Sequence, residues 1–134
     1  MKKNNNLVIG IIAIVVVALV YYVVQPGASK TANTKDTIVL GAAVSLTGKY
    51  STNGEHTQNG YNLAVERING MGGVKVDGKS YKFDIIYYDD ESNSGRAAQL
   101  AERLIKQDGV QYMLGPYSSG LTKAMAPVTE KYKI

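Results

Sequence analysis

The sequence predicts an α/β fold, a doubly wound parallel sheet, preceded by one N-terminal transmembrane helix. Three observations predict it. Leu7 to Val24 runs without charge or proline behind a short, polar, positive tip. From residue 37 onward, short apolar runs that read as strands alternate with segments of helical periodicity. The two loops richest in Ser, Thr, Tyr and Gly come after the first and third main strands.

The N-terminal run has 18 residues. At about 1.5 Å per residue it reaches about 27 Å, close to a hydrocarbon core of about 30 Å. A cleaved signal is the rival reading, but signal cores are usually about 7–15 residues, and Gln25-Pro-Gly-Ala-Ser29 is only a loose cleavage motif. Lys2 and Lys3 precede the run and hold the tip in the cytoplasm, so both readings export the chain beyond Val24. The expected organisation is therefore an anchor or signal segment over 1–24, a flexible Pro/Gly/Ser/Thr linker over 25–35, and an α/β unit over 36–134 on the extracytoplasmic side of the membrane.

Thr37 to Val44 (TIVLGAAV) lacks polar alternation, as a strand covered on both faces should. Its loop is Ser45 to Gly54, and a helix fits Glu55 to Asn69, with Tyr61, Ala64, Val65 and Ile68 at i, i+3, i+4 and i+7. Asp77-Gly78 between Val74-Lys-Val76 and Lys79-Ser-Tyr81 suits a tight hairpin. Phe83 to Tyr88 is the second main strand, ending in Asp89-Asp90-Glu91. A helix over Gly95 to Gln107 presents Ala97, Leu100, Ala101, Leu104 and Ile105 on one face. Val110 to Leu114 is the third main strand, and Leu121, Ala124, Met125 and Val128 mark a last helix that Pro127 should kink or restart.

Alternating strands and helices imply right-handed crossovers, and three such units favour the order 2-1-3. Ligands then bind beyond the carboxyl ends of the strands, where the winding reverses. That crevice lies between the first loop and Gly115-Pro-Tyr-Ser-Ser-Gly120. The first loop, read as ten residues, exceeds the two to six usual between strand and helix. Within it Thr47, Tyr50 and Asn53 offer polar and aromatic contacts, while Gly48 and Gly54 allow close approach to a ligand. In the other loop Tyr117, Ser118 and Ser119 are the candidates.

Composition excludes much else. The chain has no cysteine and a single histidine, His56, so thiolate and His-cluster metal sites are out. The formal charge of +4 falls to +2 once Lys2 and Lys3 are set aside, too little to argue for nucleic acid. Gly115 to Gly120 does not spell Gly-x-Ser-x-Gly, and a Ser-His pair would still need an orienting group and an oxyanion hole. A phosphate loop would need more glycines and a lysine before Ser or Thr. Ser118 or Ser119 capping the last helix is the plain alternative. A helix N-terminus with a hydroxyl also suits a carboxylate or carbonyl oxygen. Asp89-Asp90-Glu91 reads as a solvated turn with one acid capping the Gly95 helix region, and His56 as a surface residue.

The assembled segments resemble the start of a type I periplasmic binding protein of the branched-chain amino acid (leucine-binding) family. They are IVLGAAVSLTGKYSTNGEHTQNGYNLAVERINGMGGV, YKFDIIYYDDESNSGRAAQLAERLI and YMLGPYSSGLTKAMAPVTEKYKI, in that order. The resemblance implies half of the first lobe of a two-lobe fold that closes on a small ligand, with no catalysis and no cofactor. It implies an ABC permease and ATPase as partners, with an amino acid, amide or urea as ligand. In the family a serine after the third main strand holds the ligand's carboxylate or amide, and Ser119 matches that position. Tyr117 matches an aromatic that lines the pocket in some amide and urea binders. Asn53 stands where amino-acid binders often have an aromatic. The same domain also serves receptors, so extracellular sensing is the alternative. A chain ending at Ile134 is expected to bind weakly alone, with its third main strand an open edge.

Overall fold

The computed structural model describes residues 36–134. The expected anchor from Leu7 to Val24 and the linker over 25–35 lie outside the described residues. Among the described residues no helix is long and apolar enough to cross a membrane. The elements are β1 (Thr37–Val44), α1 (Ser51–Gly70), β2 (Val74–Val76), β3 (Lys79–Asp89), α2 (Ser94–Lys106), β4 (Tyr112–Leu114) and α3 (Ser119–Tyr132).

The sheet order is β2-β3-β1-β4. β1 lies parallel to β3 along its whole length, from Thr37 opposite Lys82 to Val44 opposite Asp89. It is also parallel to β4, with Leu40 opposite Tyr112 and Ala42 opposite Leu114. The three main strands thus take the expected order, second-first-third. The sheet as a whole is mixed, because β2 pairs antiparallel with β3. Asp77 (φ 49°) and Gly78 (φ 78°) turn that hairpin, both in the left-handed region that the tightest hairpin loops require. The hairpin's second arm and the second main strand form one continuous eleven-residue strand.

Successive strand residues point to opposite faces. The Tyr87 hydroxyl donates to Asn62 Oδ1 of α1, whereas the Tyr88 hydroxyl donates to Asp108 beyond α2. Hence α1 covers one face of the sheet and α2 the other, as double winding requires. The core lies on the α2 side, where Ala43, Ala97, Leu100, Ala101, Leu121 and Met125 pack together. Their spacing on α2 and α3 is the apolar stripe read from the sequence. Burial of such side chains contributes about 25 cal/mol per Å² of apolar area removed from water.

Three expectations need correcting. α1 begins at Ser51 rather than Glu55, so the loop after β1 spans only residues 45–50 and is of ordinary length. The polar run Ser51-Thr-Asn-Gly54 reads as loop, yet Gly54 is buried in the first turns of the helix, against β1's end. None of the three acids of Asp89-Asp90-Glu91 caps α2. Asn93 does, its side-chain oxygen accepting from the Arg96 N–H at 2.9 Å. Finally, α3 passes through Pro127 as one helix and does not restart.

Candidate functional site

The β1–α1 loop and the β4–α3 loop meet at the carboxyl ends of β1 and β4. Tyr50 of the first and Tyr117 of the second face each other, ring centroids 5.9 Å apart and tilted by 54°. Tyr117 is about half exposed, and Lys49 Nζ lies 4.5 Å from the Tyr50 ring centroid. These are the two loops that strand order selects, with an aromatic from each in contact. A second tie joins the two sides: the Tyr61 hydroxyl of α1 donates to the Gly115 carbonyl at 2.8 Å. Burial pushes that hydroxyl's pKa above its ordinary value, which keeps it protonated and donating.

The two serines divide their work. Ser118 is the N-cap of α3, in extended conformation, its Oγ accepting from the Leu121 N–H at 3.2 Å. Ser119 opens the helix, is exposed, and its hydroxyl makes no hydrogen bond among the described residues. It therefore stands beside the unpaired N–H groups of a helix start, where partial positive charge favours an anionic or carbonyl oxygen.

On the opposite loop, Thr47 is exposed but its hydroxyl donates to Asp89 Oδ2 at 2.7 Å, leaving only lone pairs to offer. Asn53 sits in the first turn of α1, half-buried, its carbonyl accepting from the Thr57 hydroxyl. Gly54 is buried beneath the Ser45 carbonyl, and its role visible here is to let α1 approach β1. His56 is exposed on α1. Among the described residues no group of three or more His, Cys, Asp or Glu side chains is placed to hold a metal.

The sequence did not reveal what the acidic run does. Asp90 is fully buried; Ser45 Oγ donates to its Oδ1 at 2.6 Å, as does the Ser92 N–H at 2.8 Å. Asp89 accepts from the Leu46, Thr47 and Glu91 N–H groups at 2.9, 3.2 and 2.8 Å. Burial alone would raise the pKa of Asp89. The Thr47 hydroxyl and the Glu91, Leu46 and Thr47 N–H groups outweigh it, so the carboxyl lies below its ordinary value.

The sequence and the fold have counterparts in known proteins. The family model described as "Periplasmic binding protein" matches residues 37–134. The chain belongs to that family. Among curated relatives, the leucine-specific-binding protein of Salmonella typhimurium is 26% identical over 129 residues, which is 96% of this chain. The chain spans 30% of that relative's length. Among solved structures, the branched-chain amino acid transporter substrate-binding protein LivJ of Streptococcus pneumoniae, in complex with isoleucine, superposes with a TM-score of 0.67. It is 31% identical, and the match covers 74% of this chain and 27% of that one. A solute-binding protein of an ABC transporter from Rhodopseudomonas palustris, in complex with 3,4-dihydroxybenzoic acid, gives a TM-score of 0.61 at 29% identity, over 75% and 26% of the two chains. These relatives are binding proteins, not enzymes.

Proposed function

We propose that residues 36–134 supply one wall of the ligand crevice of an extracytoplasmic solute-binding protein, which takes an amino acid or related small polar solute such as an amide or urea. An ABC permease and ATPase would receive the ligand, and Leu7 to Val24 would tether or export the protein. The observation that carries this reading is the meeting of Tyr50 and Tyr117 across the switch point, beside the exposed Ser119 hydroxyl at the start of α3.

In this reading the two rings form an apolar lip, and Ser119 with the first N–H groups of α3 holds a ligand oxygen. Thr47 from the first loop and Asn53 from the first turn of α1 add polar contacts, Gly54 brings α1 close behind them, and Ser118 keeps the helix start in place. The ligands named for two relatives, isoleucine and 3,4-dihydroxybenzoic acid, both carry a carboxylate, which suits a helix N-terminus.

Calorimetric titration of the complete gene product with leucine, isoleucine, glutamine, acetamide, urea and 3,4-dihydroxybenzoate tests the reading. One solute should bind with saturable heat. Ser119→Ala should then weaken it by roughly 1–3 kcal/mol, the cost of leaving a desolvated ligand group unpaired. No binding by any of the panel rejects the function, and an unaltered affinity for Ser119→Ala removes Ser119 from the site.

A further inference from the structure

We propose that Asp89 and Ser92 are positioning residues for ligand recognition: together they fix the β1–α1 loop so that Tyr50 stands against Tyr117. The proposal takes the binding role of this crevice as given and adds the element that shapes it.

The loop over 45–50 has little structure of its own. Its internal backbone bonds are Leu46 N–H to Val44 O and the Ser51 N–H to Gly48 O. Tyr50 is tied forward as well, its carbonyl accepting from the Gly54 N–H at 2.8 Å and its ring packed against the core. The remaining anchors come from Asp89 at the end of β3 and from the turn that follows it. Asp89 takes the Leu46 and Thr47 N–H groups and the Thr47 hydroxyl. Ser92 Oγ donates to the Thr47 carbonyl at 2.8 Å and accepts from the Tyr50 N–H at 3.0 Å. Two residues thus hold both the entry and the exit of the loop.

The turn is itself held in an uncommon shape. Glu91 (φ 55°) and Ser92 (φ 58°) both lie in the left-handed region, which costs about 1 kcal/mol or more for a non-glycine residue. Asp89 offsets this by accepting from the Glu91 N–H, and Asp90 by accepting from the Ser92 N–H. The result aims the Ser92 hydroxyl into the neighbouring loop. Gly48 (φ 80°) completes the fit, since a Cβ there would stand 2.7 Å from Ser92 Oγ and 2.8 Å from the Glu91 carbonyl.

Tyr50 is where this clamp becomes functional. Its N–H ends the chain of bonds from Ser92, while its ring meets Tyr117. Loss of the clamp frees the loop without touching the β1–β3 ladder or the buried Ser45–Asp90 bond. That separation distinguishes positioning from general stability.

The test uses NMR of the full chain in a mild detergent, reading the Tyr50–Tyr117 ring contact and exchange of the Thr47 and Tyr50 amides. Asp89→Ala and Ser92→Ala should each lose the ring contact and speed exchange of both amides about tenfold, the equivalent of one or two hydrogen bonds. The Ala42 and Tyr87 amides in the sheet should not change. Asp89→Asn, which keeps an oxygen acceptor for the amides, should restore the contact. In the complete gene product, Ser92→Ala should weaken the tightest solute of the panel about tenfold.

An unchanged ring contact in Ser92→Ala overturns the proposal. So does undiminished affinity when the contact is lost. If Asp89→Ala also loses sheet protection, Ser92→Ala decides alone. A wild-type protein that binds none of the panel rejects the binding role itself, a result separate from either outcome for the variants.

Discussion

Gly54→Ala is the sharpest test of how α1 is seated on the sheet. A Cβ at residue 54 would stand 2.6 Å from the Ser45 carbonyl carbon and closer still to its oxygen, inside the 3.0 Å that real Cβ contacts respect. The obstacle is backbone at the end of β1, which cannot rotate away, so the first turns of α1 must move. Such overpacking typically costs about 1–3 kcal/mol, while replacing glycine by alanine inside a helix returns about 0.8–1 kcal/mol. Gly60, in the same helix, is the internal control, because a Cβ there meets nothing within 4 Å. Gly60→Ala should therefore stabilise the protein, and Gly54→Ala should fall below it by about 1–3 kcal/mol. For a domain of this size each kcal/mol moves Tm by about 4–8 °C. Thermal unfolding of both variants, tracked by circular dichroism, should separate them by at least about 4 °C. Equal stabilisation by the two substitutions would falsify the close packing of α1 on Ser45.

The hydrogen-bond pattern sets three further outcomes. Asp90→Ala should cost roughly 2–4 kcal/mol in denaturant unfolding, because it strands the buried Ser45 hydroxyl and the Ser92 N–H. Asp90→Asn, which keeps one oxygen, should cost less. Ser118→Ala should cost about 1 kcal/mol by removing the cap of α3, with Ser119→Ala near neutral in the same unfolding measurement. The depressed pKa of Asp89 fixes the sign of a pH effect: its contribution is complete above the ordinary value of 3.8 and disappears as pH falls through the lower folded value. The Thr47 amide should thus stay protected across neutral pH and down to mild acid, then lose protection in strong acid. Asp89→Asn should erase that acid limb.

How much the sequence disclosed depends on how local each cause is. The apolar run of β1, the stripes on α2 and α3, and the Asp77-Gly78 turn are written in neighbouring residues, and each appears where its pattern put it. The meeting of the two loops was legible too, because strand order alone selects the loops that carry Tyr50 and Tyr117. The start of α1 was not: Ser51, Thr52 and Asn53 favour caps and turns, and only packing against Ser45 carries the helix back to them. The duties of Asp89 and Asp90 were hidden for a similar reason. Their partners lie some forty residues earlier in the chain, and only the pairing of β1 with β3 brings them together. A local signal for the α2 cap did exist, in Asn93 ahead of Ser94-Gly95-Arg96, and the adjacent acids masked it.

The pairing of Val44 with Asp89 has a consequence for quality control during folding. A strand advances about 3.3 Å per residue, so sliding β1 by one place against β3 would carry Asp89 out of reach of the Leu46 and Thr47 amides. The same slip would turn every β1 side chain to the wrong face. A mispaired sheet would therefore lack the ordered β1–α1 loop as well as its core. Only chains that have found the correct alignment hold this loop in place, so on the proposed function a bound solute would preferentially stabilise the properly aligned molecules.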